Sequence, residues 1–271
     1  MKLPARRAHG FFLSVLLGAA LFSGCATGPQ LLPESFLENM AVSQFAQMKQ
    51  EMPVSQNPVH VEQVERIGAR LAAAVAEEMP DMEWEFVVFD DPSINAFAMP
   101  GGKVGVFSGL IELSESDDEL AVVIGHEIAH VQQRHANQRL SAELIRMGLG
   151  VAVAYGATRQ DQVDPNLVMA AYGLGTQVGV MLPFGRHHEY EADYKGLLIM
   201  ARAGYDPYAA VTFWEKMEAA SDRGSVPEYL STHPAPGNRI ARLKAAIPEA
   251  LREQEHAEAQ AFLRERGLVE E

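Results

Sequence analysis

The chain has a single cysteine, Cys25, in 271 residues. That excludes an internal disulfide and a CxxC metal site. Positive charge is scarce too: 22 Lys and Arg stand against 36 Asp and Glu, for a formal net charge of −14. Such a balance repels phosphate backbones and excludes nucleic acid as a partner. Aromatic residues make up only 8%. No 34-residue period recurs, so no tetratricopeptide array is appended. What the chain does have is apolar content, 48% hydrophobic residues, enough to bury a substantial core in one catalytic domain.

The cysteine sits in an informative place. Lys2, Arg6 and Arg7 open the chain, and an apolar stretch from Phe11 to Phe22 leads into Ser23, Gly24 and Cys25. A charged start, a short apolar middle and small residues at the break read as a secretory signal. The stretch is too short to span roughly 30 Å of hydrocarbon permanently. Leu21-Phe22-Ser23-Gly24-Cys25 resembles a bacterial lipoprotein signal, with Phe22 in place of the usual leucine. That resemblance implies that Cys25 becomes the first mature residue and carries the lipid, and that Ala26, in place of Asp, directs a Gram-negative lipoprotein to the outer membrane. The expected organisation is a signal peptide at 1–24, a lipidated tether with an N-terminal helix at 25–52, and a catalytic domain at 53–271.

Beyond the tether, the pattern predicts a helix over 35–52, a break at Pro53 to Pro58, and a helix from Val59 to Glu78 with Val64, Ile67, Leu71 and Val75 on one face. Three strands follow at 84–89, 94–98 and 103–107, the last two joined by the turn Met99-Pro100-Gly101-Gly102. Ser116-Asp117-Asp118-Glu119 is a capping box that opens a long helix reaching to about His135. Leu167 to Phe184 carries no charge but is interrupted by Gly173, Gly175, Gly179 and Pro183, which favours packing on the domain or touching a membrane surface over spanning one. A helix over 186–203 stops at Gly204 with Pro207 beyond, and helices are expected at 207–221, 237–246 and 248–266.

His126-Glu127-Ile128-Ala129-His130 is an HExxH motif. On a helix, residues four apart share a face, so both imidazoles can point at one ion while Glu127 reaches a water beside it. Zinc accepts neutral imidazole nitrogens, and a catalytic site needs a third protein ligand. The metzincin pattern fails, because Gln133 and Ala136 stand where Gly and His belong; His135 is one position off and is expected on another helix face. A carboxylate from a second helix is the alternative. Glu189 and Asp193 lie one turn apart, so Glu189 can bind the ion while Asp193 holds an imidazole from behind, and Arg186 and Arg202 can balance the acidic cluster. Glu191 points about 200° away from Glu189 and cannot share its ion, so the choice between them stays open, with Glu189 preferred for its Asp193 partner. Glu143 reads as a solvated helix face, and His187 and His188 as exposed neighbours of the ligand.

Four segments together resemble the zinc metallopeptidase family of the CAAX prenyl protease, HtpX, the mitochondrial Oma1 peptidase and the bacterial BepA/LoiP-type periplasmic proteases. They are Asn95-Ala96-Phe97-Ala98-Met99-Pro100-Gly101-Gly102, then Glu119-Leu120 leading into the HExxH motif, then Arg186 with Glu189 to Asp193, and Ser231-Thr232-His233-Pro234. The resemblance implies an α+β, mainly α-helical fold, an HExxH gluzincin-like metalloprotease domain with a small β-sheet edging the active-site cleft. It implies one zinc ion on His126, His130 and Glu189, Glu127 as catalytic acid/base, and Asp193 behind an imidazole. It also implies that Asn95, Ala96, Phe97 and Ala98 border the cleft, where an extended substrate would add a strand, although Phe97 and Met99 equally suit core filling. His233, in the loop Ser231 to Gly237, is implied near the metal, either holding the enzyme latent or stabilising an oxyanion; a structural hydrogen bond to the loop is the plain alternative. Gly185 replaces a serine frequent in bacterial members, and the lack of repeats makes the chain resemble the compact LoiP-like ones.

The expected function is zinc-dependent endoproteolysis of misfolded or mis-assembled envelope proteins, tethered to the membrane through Cys25, with outer-membrane assembly machinery as a possible partner. Two alternatives compete: a latent or non-catalytic envelope chaperone, which the intact Glu127 argues against, and an amidase acting on cell-wall peptides, for which no wall-binding repeat speaks.

Overall fold

A computed structural model describes residues 28–159, 164–222, 227–234 and 237–268; the signal segment and Cys25 lie outside the described residues. The order is α1 (Glu34–Glu51), α2 (Pro58–Ala73), β1 (Glu85–Phe89), β2 (Ala96–Met99), β3 (Lys103–Phe107), α3 (Ser108–Leu113), α4 (Asp117–Gln132), α5 (His135–Ala157), α6 (Pro165–Thr176), a π-helical turn at Gln177–Met181, α7 (Leu182–Arg202), α8 (Ala209–Asp222), α9 (Glu228–Thr232) and α10 (Arg239–Glu265). The mainly helical α+β fold with a small sheet is as expected.

The described residues divide into two compact units, one drawn from 33–136 and 186–268, the other from 28–32 and 137–185. In the larger unit, the sheet runs β1-β3-β2, with β1 parallel and β2 antiparallel to β3. The β2–β3 turn works because Gly101 and Gly102 take φ of 76° and 70°, which costs glycine little and a side chain much. The outer edge of β1 is closed by Pro53 to Ser55: Ser55 N–H donates to Val88 O and Asp90 N–H to Pro53 O. Among the described residues no strand pairs with the outer edge of β2.

One face of the sheet carries Phe89, Phe97 and Phe107 against Phe45 of α1, rings 5.8–6.2 Å apart in mostly edge-on pairs. Phe97 and Met99 therefore do fill a core cluster. The other face meets the main core, in which α4 is central: every residue from Glu119 to His130 is buried. A helix apolar all round has to lie inside the domain. Its start is fixed by Ser116, whose Oγ accepts from Glu119 N–H at 3.2 Å; the Glu119 carboxylate reaches back to Glu115 N–H at 2.8 Å. The helix does not run on to His135. It stops at Gln132, and Arg134 takes a left-handed φ of 55° before a separate helix opens at His135. Nor does Pro248 divide the last helix, which continues through it from Arg239 to Glu265.

In the smaller unit, Gly28 N–H and Leu31 N–H donate to Gln138 Oε1 and Ser141 Oγ, both at 2.8 Å, and Asn137 donates to Leu32 O at 2.9 Å. Tyr172 of α6 donates to Arg146 O of α5 at 2.6 Å. No residue of α6 or of the π-helical turn is buried. By length and composition alone, two helical stretches, His135–Ala157 and Pro165–Arg202, are long and apolar enough to cross a membrane.

Candidate metal centre

α4 and α7 cross where Gly125 meets Gly196, and the absence of side chains there brings the two backbones into contact. The result is that α7 presents Glu189 and Asp193 to the histidines of α4. One donor atom from each of His126, His130, Glu189 and His233 falls within 4.8 Å of the others, and all four residues are buried.

The individual distances test whether a metal fits. His126 Nε2 lies 2.9 Å from His130 Nε2, 3.3 Å from His233 Nδ1 and 3.4 Å from Glu189 Oε2. Glu189 lies 3.1 Å from His233 Nδ1 and 3.6 Å from His130 Nε2. Ligand atoms held tetrahedrally at about 2.0–2.1 Å from zinc stand roughly 3.3 Å apart, and the five spacings above, 2.9–3.6 Å with either oxygen of Glu189, bracket that value. The protons agree. His126 Nδ1 is 3.0 Å from the Asp193 carboxylate, an acceptor only, so Nδ1 carries the proton and Nε2 turns its lone pair inward. Lone pairs converging in a buried space call for a cation.

The electrostatics are those of a site with negative charge to offset. Burial opposes ionisation of Glu189, but hydrogen bonds from His126 and His233 hold its pKa well below the usual carboxylate range. Asp193 is held down likewise, despite burial, by Arg239 and His126. Burial works against a charged His126 as well; with no cation in place, bonds to Asp193 and Glu189 outweigh it and raise its pKa to about 9, so a metal taken up at Nε2 displaces the proton held there. His130 is driven well below the ordinary imidazole value, first by burial and then by the charge on His126, which favours the neutral ring that metal binding requires.

Several residues that shape the centre are not evident from sequence. Arg239, 2% exposed, donates from Nε to Asp193 at 2.5 Å and from Nη2 to Glu189 at 3.3 Å, and lies 3.6 Å over the Trp214 ring. It, and not Arg202, balances the acidic cluster; Arg202 is turned to Glu78 and Glu253. The only signal for Arg239 was its position six residues after His233. Tyr229 donates to Glu127 Oε1 at 2.9 Å and stacks on the His233 ring at 4.5 Å. Its own N–H donates to Ile94 O, which ties the segment bearing His233 to the approach of β2. His135 is buried beside His130 instead of lying on a separate face, and His188, expected exposed, is buried and stacked on His135. Glu191 faces away from the donor group and meets His135. Glu143 pairs with Arg146 in the smaller unit. Asn95 is buried just before β2, and Ala96 to Ala98 lie in the edge strand itself.

A profile of peptidase family M48 matches residues 58–247, which holds the whole constellation. The chain belongs to this family. Its M48 relatives include the mitochondrial metalloendopeptidase OMA1 of Schizosaccharomyces pombe, 37% identical over 69% of this chain and 53% of the relative. The beta-barrel assembly-enhancing protease of Escherichia coli (strain K12) is 35% identical over 72% of this chain and 40% of its own length. The mitochondrial metalloendopeptidase OMA1 of Bos taurus is 36% identical over 64% of this chain and 34% of the relative. The chain thus spans about half, or less, of the length of these M48 relatives.

Proposed function

We propose that the chain is a zinc-dependent endopeptidase of the bacterial cell envelope, with His126, His130 and Glu189 holding one zinc ion and Glu127 serving as acid and base. The observation that carries this reading is the convergence of four buried donor atoms within 4.8 Å of one another, with the buried Glu127 carboxylate on the same helix as two of them.

When bound, zinc supplies a Lewis acid that polarises the scissile carbonyl and makes water a stronger acid at neutral pH. Glu127 takes the proton of the attacking water and returns it to the leaving amine. Tyr229, donating to Glu127 Oε1, keeps that carboxylate aimed at the centre. Asp193 holds His126 in the tautomer whose Nε2 faces inward, and Arg239 anchors Asp193 and Glu189 together. Extended substrate joins the outer edge of β2, at Asn95 to Ala98, because β3 already occupies the inner edge.

His233 supports a reading of latency. Its Nδ1 stands among the donors, and its Nε2 stands 3.4 Å from Glu127 Oε1. The side chain thereby occupies both the position that water needs and the base that would activate it. Cleavage follows when it withdraws.

Residues 1–24 act as a signal peptide, Cys25 carries the lipid, and the catalytic domain of 53–271 works at the periplasmic face of the outer membrane. Mis-assembled envelope proteins are the substrates we favour, and outer-membrane assembly machinery is the partner. Support comes from the beta-barrel assembly-enhancing protease among the relatives and from the lipoprotein-like start of the chain. Digestion of casein and of an unfolded envelope protein, with and without chelator and beside Glu127→Gln, tests the activity. The reading expects cleavage that chelator and Glu127→Gln both abolish; binding without cleavage by the zinc-loaded, His233-released protein would favour a chaperone instead.

A further inference from the structure

Behind His130 the structure holds a second histidine and a carboxylate to which the mechanism gives no task. His130 turns Nε2 toward His126 and Glu189, while its other nitrogen, Nδ1, lies 2.8 Å from His135 Nδ1. His135 Nε2 in turn lies 3.2 Å from Glu191 Oε2. His135 is 1% exposed, and its ring is stacked on His188 with centroids 4.2 Å apart and planes at 15°.

We propose that His135 and Glu191 are positioning residues of the metal centre: a hydrogen-bonded relay that fixes His130 in its metal-binding tautomer. The proposal rests on the zinc reading above. The protons allow one consistent assignment. For His130 to offer a lone pair from Nε2, its proton sits on Nδ1 and is donated to His135 Nδ1. His135 Nδ1 is then the bare nitrogen of that ring, its proton sits on Nε2, and it donates to the Glu191 carboxylate. The reverse order would place His130's proton on Nε2, aimed into the donor group where the cation belongs. Each imidazole of the HExxH motif is thus backed by a carboxylate of α7, His126 directly by Asp193 and His130 through His135 by Glu191. Residues two apart on a helix point about 200° apart, which is why Glu191 needs an intermediary that Asp193 does not. The left-handed turn at Arg134 supplies one, by ending α4 and folding His135 back beside His130.

Groups behind a ligating histidine raise its basicity and hold its ring, and losing them weakens metal binding by about ten- to a hundred-fold. The test measures zinc affinity by competition with a chromophoric chelator, with every variant in a Glu127→Gln background to prevent self-cleavage. The parent is expected to bind one zinc ion per chain. His135→Ala is expected to weaken binding by about ten- to a hundred-fold, and Glu191→Gln, whose side chain is 23% exposed, by less. His135→Asn places its Oδ1 where the ring Nδ1 stood and is expected to recover most of the affinity. With His135 already alanine, Glu191→Gln is expected to add nothing, because the two act in series. Unchanged affinity in a folded His135→Ala protein overturns the relay, as do additive losses in the double variant. Should His135→Ala fail to fold, Glu191→Gln decides: weaker zinc binding supports the relay, and parental affinity overturns it. A parent that binds no zinc defeats the metal reading itself, an outcome distinct from variants that merely match a zinc-binding parent.

Discussion

A Cβ on Gly196 would stand 2.8 Å from the backbone nitrogen of His126 and 2.9 Å from its Cα. No side chain fits between α7 and α4 at that crossing, so the helix bearing Glu189 and Asp193 is held against the one bearing the two histidines. Gly196→Ala is expected to push the helices apart, costing about 1–3 kcal/mol through overpacking, and to weaken zinc binding as well. Urea unfolding and zinc titration check both. Gly173→Ala is the control, because a Cβ there meets nothing within 4 Å; in a helix it gains up to about 1 kcal/mol.

Arg239 is the one cation bonded to both carboxylates behind the donor group among the described residues. Arg239→Met leaves Glu189 and Asp193 buried without it. Removing one partner from a buried ion pair costs about 3–5 kcal/mol. That loss is expected in zinc-free protein, and zinc, bringing positive charge to the same carboxylates, should narrow it. Thermal unfolding with and without saturating zinc checks this; an equal loss in both would mean that the arginine acts mainly through its packing on Trp214.

His233→Ala is expected to raise peptidase activity and leave zinc bound, since three ligands remain and the base is released. The measurement is initial cleavage rate on zinc-loaded protein. A collapse in rate with zinc retained would assign His233 to oxyanion stabilisation, and an unchanged rate to a role in the loop alone.

Asp117 opens α4 and is bonded to Arg66 and Gln63. The bond to Arg66 lowers its pKa, outweighing the opposing effect of burial. A carboxyl with a depressed folded pKa contributes stability above its unfolded pKa and loses it as pH falls through the folded value. Asp117→Asn is therefore expected to destabilise at pH 7 and to match the parent below the folded pKa of Asp117. Urea unfolding at pH 7 and at successively lower pH checks the sign; a gap that fails to narrow as pH falls would contradict it.

Sequence patterns located much of this framework. The strands at 84–89, 94–98 and 103–107 fall within a residue or two of β1, β2 and β3, because aromatic and β-branched runs end at clear turn residues. The capping box marked the start of α4 to within one residue. The end of α4 was not legible, because Arg134 takes a left-handed φ without glycine or proline to announce it; with that break went the position of His135. Pro248 misled in the opposite sense. It lies on the exposed side of α10, while Leu243, Ile247 and Ala250 are buried on both sides of it and hold the two halves in one line. Arg239 is distant in sequence from both carboxylates it binds, and only the fold brings them together.

The most direct test is the zinc content of the purified protein and of Glu189→Gln, measured by native mass spectrometry with zinc-edge X-ray absorption on the same samples. The expected result is one zinc ion per parent chain in a shell of nitrogen and oxygen donors alone, and a marked loss of zinc on replacing Glu189. A parent without zinc, or a Glu189→Gln protein that holds the ion as tightly and in the same shell, would contradict the account.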